Sequence, residues 1–125
     1  MPHIMSRTEK GIVVLTLTQE HLQSDELARE LFQEMVAVID SAESPKVVID
    51  FHHVKSISAA GLRSMLNFRR HVREKQGQLL LCGLSFEVAD VFFTTRLAST
   101  SASSVIPFAM APDLTTAITH LSKSA

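Results

Sequence analysis

Tryptophan and tyrosine are absent from this 125-residue chain, and cysteine occurs once. Lacking both rings, the chain offers little for stacking on nucleic-acid bases. The single thiol excludes an internal disulfide framework, and Cys82 lies within an apolar stretch, so a reducing compartment is expected. Glycine occupies only four positions, with Gly61 standing alone, so no glycine-rich loop is present to cradle a phosphate. No apolar run approaches the ~18 residues of a membrane span. The opening MPHIMSRTEKG carries no apolar signal segment. A cytoplasmic location without membrane insertion is the expectation.

What is present is ordinary for a globular protein: 46% hydrophobic and 20% charged residues. Residues 1–125 are expected to form a single domain, large enough to bury roughly two thirds of its unfolded surface. The net charge of −1 is unevenly spread. Acidic groups outnumber basic ones nine to four in residues 1–50, and the balance reverses to four against eight afterwards. Such asymmetry suggests interaction surfaces, whereas a sum near zero argues against direct nucleic-acid binding.

The stretch from Lys46 to Gly83 organises the rest. Val47, Val48, Ile49 and Phe51 form a β-branched run of strand length. Residues 52–58 interrupt it, and an amphipathic helix is expected from about Ser58 to Gln76. Its inward face carries Leu62, Met65, Leu66, Phe68 and Val72, while Arg63, Arg70, Arg73 and Glu74 should be solvated. Gly77 sits where helices favour a left-handed residue, and residues 78–82 form the next strand. Before this core come a weak edge strand at 3–9, a turn at Gly11 and a better strand at 12–17. A polar, irregular segment at 18–23 leads to a helix capped by Ser24, with an apolar stripe of Leu27, Leu31, Met35, Val38 and Ile39. After Gly83, Ser85 caps a third helix with Val88, Val91 and Phe92 on one side. A serine-rich loop at 99–104 precedes a short strand at 105–108, whose Pro107 suggests an edge. Pro112 suits the first turn of a last helix carrying Leu114, Ala117, Ile118 and Leu121. The order β-β-α-β-α-β-α-β-α predicts an α/β fold with a mostly parallel, mixed five-stranded sheet and about four helices packed against it.

The segment VVIDFHHVKSISAAGLRSMLNFRRHVREKQGQLLLCGLSFEVADVFFTTRLAS resembles the core of STAS domains, the fold of bacterial anti-sigma factor antagonists. Asp50, Gly61-Leu62, Gly77, the 79–82 strand and Ser85-Phe86-Glu87-Val88 match that pattern in order and spacing. The family pattern opens its central helix with Asp, a phosphorylatable Ser, a second Ser or Thr, then Gly-Leu. This chain has Ser58, Ala59 and Ala60 before Gly61, and Arg96 where the family has a glycine. The resemblance therefore implies a partner-binding regulatory module without the family's phosphoacceptor.

The resemblance places the docking surface on Lys55, Ser56, Ile57, Ser58, Ala59, Ala60, Gly61, Arg63 and Ser64. Ser58 reads first as a helix cap, with a displaced phosphoacceptor as the alternative. The partner class it implies is a serine-kinase anti-sigma factor or another STAS protein, and a homodimer stays open. Alternatives are a STAS subunit of a membrane lipid-transport complex and a small-ligand-binding STAS domain. Neither a catalytic role nor a cofactor is expected, because no nucleophile–base constellation is visible. No metal site is expected either: His52 and His53, on an extended chain, would point to opposite sides. Asp50 is expected to finish a strand, Cys82 to fill the core, and Arg69, Arg70 and Arg73 to line a solvated helix face, with binding of an acidic partner or phosphates as the alternative for the arginines.

Overall fold

The computed structural model describes residues 3–94, 98–99 and 108–123. The first two strands, β1 (Ile4–Glu9) and β2 (Ile12–Leu17), form an antiparallel hairpin. Lys10 and Gly11 between them have φ of 53° and 77°, the double left-handed geometry whose twist suits a two-residue hairpin loop. A two-residue strand, β3 (His21–Leu22), leads into α1 (Asp25–Ile39). Then follow β4 (Lys46–Asp50), a second two-residue strand β5 (Ser56–Ile57), α2 (Ala59–Glu74) and β6 (Gln78–Cys82). The chain closes with α3 (Phe86–Thr94), β7 (Ala98–Ser99), β8 (Phe108–Ala111) and α4 (Leu114–Ser122).

The main sheet has the order β1-β2-β4-β6-β8-β7, parallel throughout except for the opening hairpin. The five expected strands are its body, and the two-residue β7 extends its far edge. Strand alternation divides the core. Leu15, Leu17, Val47, Ile49, Leu81 and Phe108 face α1, α2 and α3, whereas Ile12, Val14, Val48, Leu80 and Cys82 face α4. On α2, Leu62, Met65, Phe68 and Val72 are buried and Leu66 half-buried, while Arg63, Arg70, Arg73 and Glu74 are exposed, as the helical spacing predicts.

Local expectations changed in four places. Residues 18–23 are not wholly irregular, because β3 pairs in parallel with β5 and buries Leu22. Gly77 is not the left-handed residue that ends α2: Gln76 takes that role at φ 60°. The Gln76 and Gly77 amides donate to the Arg73 and Val72 carbonyls, which closes the helix. Gly77 is small for another reason, since a Cβ there would run into the Pro45 carbonyl oxygen. Pro112 lies before α4 rather than inside its first turn; Asp113 caps that helix by accepting from the Thr116 amide at 2.7 Å. The last strand overlaps the expected one only at Phe108, and residues 105–107 with Pro107 lie outside the described residues. Its Ala109 and Ala111 have weak strand preference but leave room for α4 to pack closely.

Candidate functional site

Parallel strands β4 and β6 deliver their carboxyl ends to one edge of the sheet, where α2 and α3 begin. Asp50, the last residue of β4, is nearly buried. Its Oδ1 accepts the His52 amide at 3.0 Å, and its Oδ2 lies 2.8 Å from His52 Nδ1. Gly83 comes so close that a Cβ there would stand 2.7 Å from Asp50 Oδ1. Asp50 thus ties a tight turn, closed by the Val54 amide donating to the Phe51 carbonyl. Phe51 and Val54 are buried beneath it, and Phe51 meets Phe92 of α3 edge-on at 6.0 Å.

This turn overturns the expectation for the histidine pair. The chain is not extended there, so the His52 and His53 rings do not diverge; their centroids are 3.8 Å apart. Among the described residues, no group of three or more His, Cys, Asp or Glu is placed to hold a metal ion. Asp50 takes the structural strand-end role expected of it. Burial, reinforced by the negative charges of Asp50 and Asp113, pushes the Cys82 thiol up to about 12. That thiol belongs to the core and is held un-ionised.

Beyond the turn, the loop is stitched to the segment before α1. Lys55 and Ser56 donate their amides to the Glu20 carbonyl, and Ser58 donates its amide to Leu22. Ser56 Oγ lies 2.7 Å from His21 Nδ1 and accepts from Gln23 Nε2 at 2.9 Å. Ser58 caps α2: its Oγ accepts the Gly61 amide at 3.4 Å and reaches the Leu22 and Gln23 carbonyls at 3.1 and 3.2 Å. A Cβ on Gly61 would meet Ile57 Cγ1 at 2.6 Å and the Leu22 carbonyl at 3.0 Å, so this close helix start requires glycine. Ser64 is buried and donates to the Ala28 carbonyl, joining α2 to α1.

The nine residues marked out in the sequence therefore separate into two groups. Lys55, Ala59 and Arg63 are exposed, with Ser56 and Ser58 half-buried beside them. Ile57, Ala60, Gly61 and Ser64 are buried and hold that surface from beneath. Lys55 pairs loosely with Glu20 and Arg63 with Asp25, exposed contacts of small energetic weight. The helix therefore starts with a methyl group in solvent rather than a hydroxyl.

Sequence reasoning missed Phe86, which opens α3 on the same edge and is 86% exposed. Ser85 caps that helix through the Val88 amide. The available signal was spacing: Phe86 stands two residues before Val88 and six before Phe92, which turns it away from their buried face.

A family model described as the STAS domain matches residues 3–113. BtrV of Bordetella bronchiseptica, whose name describes an anti-sigma factor antagonist, is 40% identical over 65 residues, 52% of this chain. The match spans only 55% of that relative's length. An anti-sigma-factor antagonist (STAS) domain protein from Planctomyces limnophilus superposes with a TM-score of 0.79 at 16% identity, covering 97% of this chain and 98% of the other. The murine Solute Carrier 26 family member A9 anion transporter superposes with a TM-score of 0.76 at 13% identity, covering 91% of this chain and 18% of the transporter. At these identities the two structures speak for the fold alone.

Proposed function

We propose that this chain, which belongs to the STAS domain family, is an anti-sigma factor antagonist-like module that docks onto a protein partner and is not switched by phosphate at the family position. The observation that carries the proposal is Ala59, exposed at the first position of α2, where the family pattern has its phosphoacceptor. A phosphate there would add about −1.5 to −2 charges to the docking edge. A methyl group keeps that position of the edge small, apolar and free of negative charge, so docking competence is permanent. Ser58 does not substitute for the missing acceptor, because its oxygen is engaged with the Gly61 amide and the carbonyls of Leu22 and Gln23.

Lys55, Ala59 and Arg63 make the contact, with Ser56 and Ser58 at its margin. Ile57, Ala60, Gly61 and Ser64 set its shape from below. The partner is a serine-kinase anti-sigma factor or another STAS protein, in keeping with the name of the Bordetella relative. The role is binding rather than catalysis, and its setting is the cytoplasm. No helix among the described residues is long and apolar enough to cross a membrane.

Affinity purification from the native cell, with wild type and Ala59→Asp compared, tests this reading. Negative charge at a helix N-terminus supports the helix itself by a few tenths to about 1 kcal/mol, whereas an unpaired carboxylate desolvated in an interface is costly. The variant is expected to melt like wild type and to lose a kinase-type or STAS partner that wild type retains. Equal recovery of that partner by both proteins removes this edge from the interface.

A further inference from the structure

Five of the chain's seven arginines line two grooves that meet at Asn67. One groove, of about 240 Å³, lies between α1 and α2 and is lined by Arg29 and Arg63. The other, of about 480 Å³, runs along the outer face of α2 beside Arg69, Arg70 and Arg73. Each contains a single carboxylate, Asp25 and Glu74 respectively, and neither contains a lysine. Arg63 reaches Asp25 at 3.8 Å, but that carboxylate is 91% exposed and binds it weakly. Arg70 donates to the neutral side chain of Asn67. Arg29, Arg70 and Arg73 form no ion pair among the described residues. Desolvation and then the positive charge of Arg73 push the Arg69 guanidinium below its usual range, so like charges are being held together. On a chain of net charge −1, this local excess is a feature to be neutralised from outside.

We infer that the outer face of α2, with its groove against α1, is a docking surface for an acidic protein segment, gripped by guanidinium–carboxylate pairs along about three turns of α2. The choice of arginine over lysine carries the chemistry: its planar fork binds a carboxylate through two parallel hydrogen bonds, which a lysine ammonium does not offer. The distance from Arg63 to Arg73 is about 15 Å at the α-helical rise, enough for a short acidic helix or a few extended residues. Two other anionic partners fit less well. A membrane surface would be held by inserted apolar side chains as well as charge, yet the large apolar side chains exposed among the described residues, Met5, Phe86 and Phe93, belong to other elements. Single-stranded nucleic acid would use aromatic stacking, and α2 has no exposed aromatic ring. The surface adjoins the docking edge at Arg63 but stands on its own charge and does not depend on what occupies Ala59.

The test is titration of the whole chain with a synthetic peptide carrying glutamates at i, i+4 helical spacing, followed by amide and arginine Nε shifts in NMR. Its glutamine counterpart is the control. Inorganic phosphate, phosphatidylglycerol-containing vesicles and a single-stranded oligonucleotide are measured in parallel. Shifts are expected to centre on residues 63–73, and affinity is expected to fall on the order of tenfold or more in the Arg70→Gln/Arg73→Gln variant. Added salt should weaken binding as well. Undiminished binding by that variant, equal binding of the glutamine peptide, or equal or tighter binding of phosphate, vesicles or oligonucleotide overturns the proposal. Both substituted residues are exposed and lie outside the 55–64 loop, so failure here leaves the Ala59→Asp comparison intact.

Discussion

Ser58 Oγ lies 3.1 Å from the carbonyl oxygen of Leu22, a residue thirty-six positions earlier in the chain. One hydroxyl therefore caps α2 and fastens the loop before it to the segment that leads into α1. The same contact that positions the exposed Ala59 also occupies the hydroxyl oxygen next to it.

Ser58→Ala should lower stability by about 0.5–2 kcal/mol, the usual range for loss of an N-cap. Urea denaturation gives the value, and amide exchange should quicken first in the opening turn of α2. A variant as stable as wild type, with unchanged exchange at Gly61, would show that the hydroxyl anchors nothing.

Gly61→Ala should cost about 1–3 kcal/mol through overpacking. The new methyl would meet Ile57 Cγ1 at 2.6 Å and the Leu22 carbonyl at 3.0 Å. The carbonyl cannot retreat freely, because it accepts both the amide and the hydroxyl of Ser58. Denaturant midpoints decide it, and an unchanged midpoint would mean that the helix start has slack.

Cys82 gives an alkaline signature. Its thiol is raised from 9.0 to about 12 in the folded chain by burial, with Asp50 and Asp113 adding to the effect. As pH rises, the unfolded chain loses this proton first. The contribution is intact below about pH 9 and drains away towards pH 12. Urea midpoints measured across that range should fall more steeply for wild type than for Cys82→Ala. Identical slopes would place the thiol in a wetter site.

Three helix caps were legible because each depends on neighbours close in sequence. Ser24, Ser58 and Ser85 each precede an amphipathic helix, and each accepts an amide three residues on. The parallel strands were visible because burial on both faces demands apolar residues at nearly every position. The candidate site was legible only in part. Arg63 is exposed as helical spacing predicts and Ala59 opens the helix the resemblance pointed to, but the burial of Ala60, Gly61 and Ser64 comes from α1 and β3 packing alongside, contacts between distant segments. His52 and His53 were misplaced because their turn is tied by Asp50, and a local rule for extended chain does not describe it. Asp113 escaped attention behind Pro112, whose fixed φ also suits the residue before a cap.

The central claim is that the docking edge carries no phosphate switch and stays competent for its partner. Native mass spectrometry of the chain mixed with a serine-kinase anti-sigma factor, the proposed partner, before and after ATP, reads the complex and the covalent phosphate together. The account predicts an unmodified chain mass and an undiminished complex, with fragment mapping finding no phosphate on Ser56, Ser58 or Ser64. Stoichiometric phosphate on any of these serines, with loss of the complex, would contradict it and make the chain a switch with a displaced acceptor.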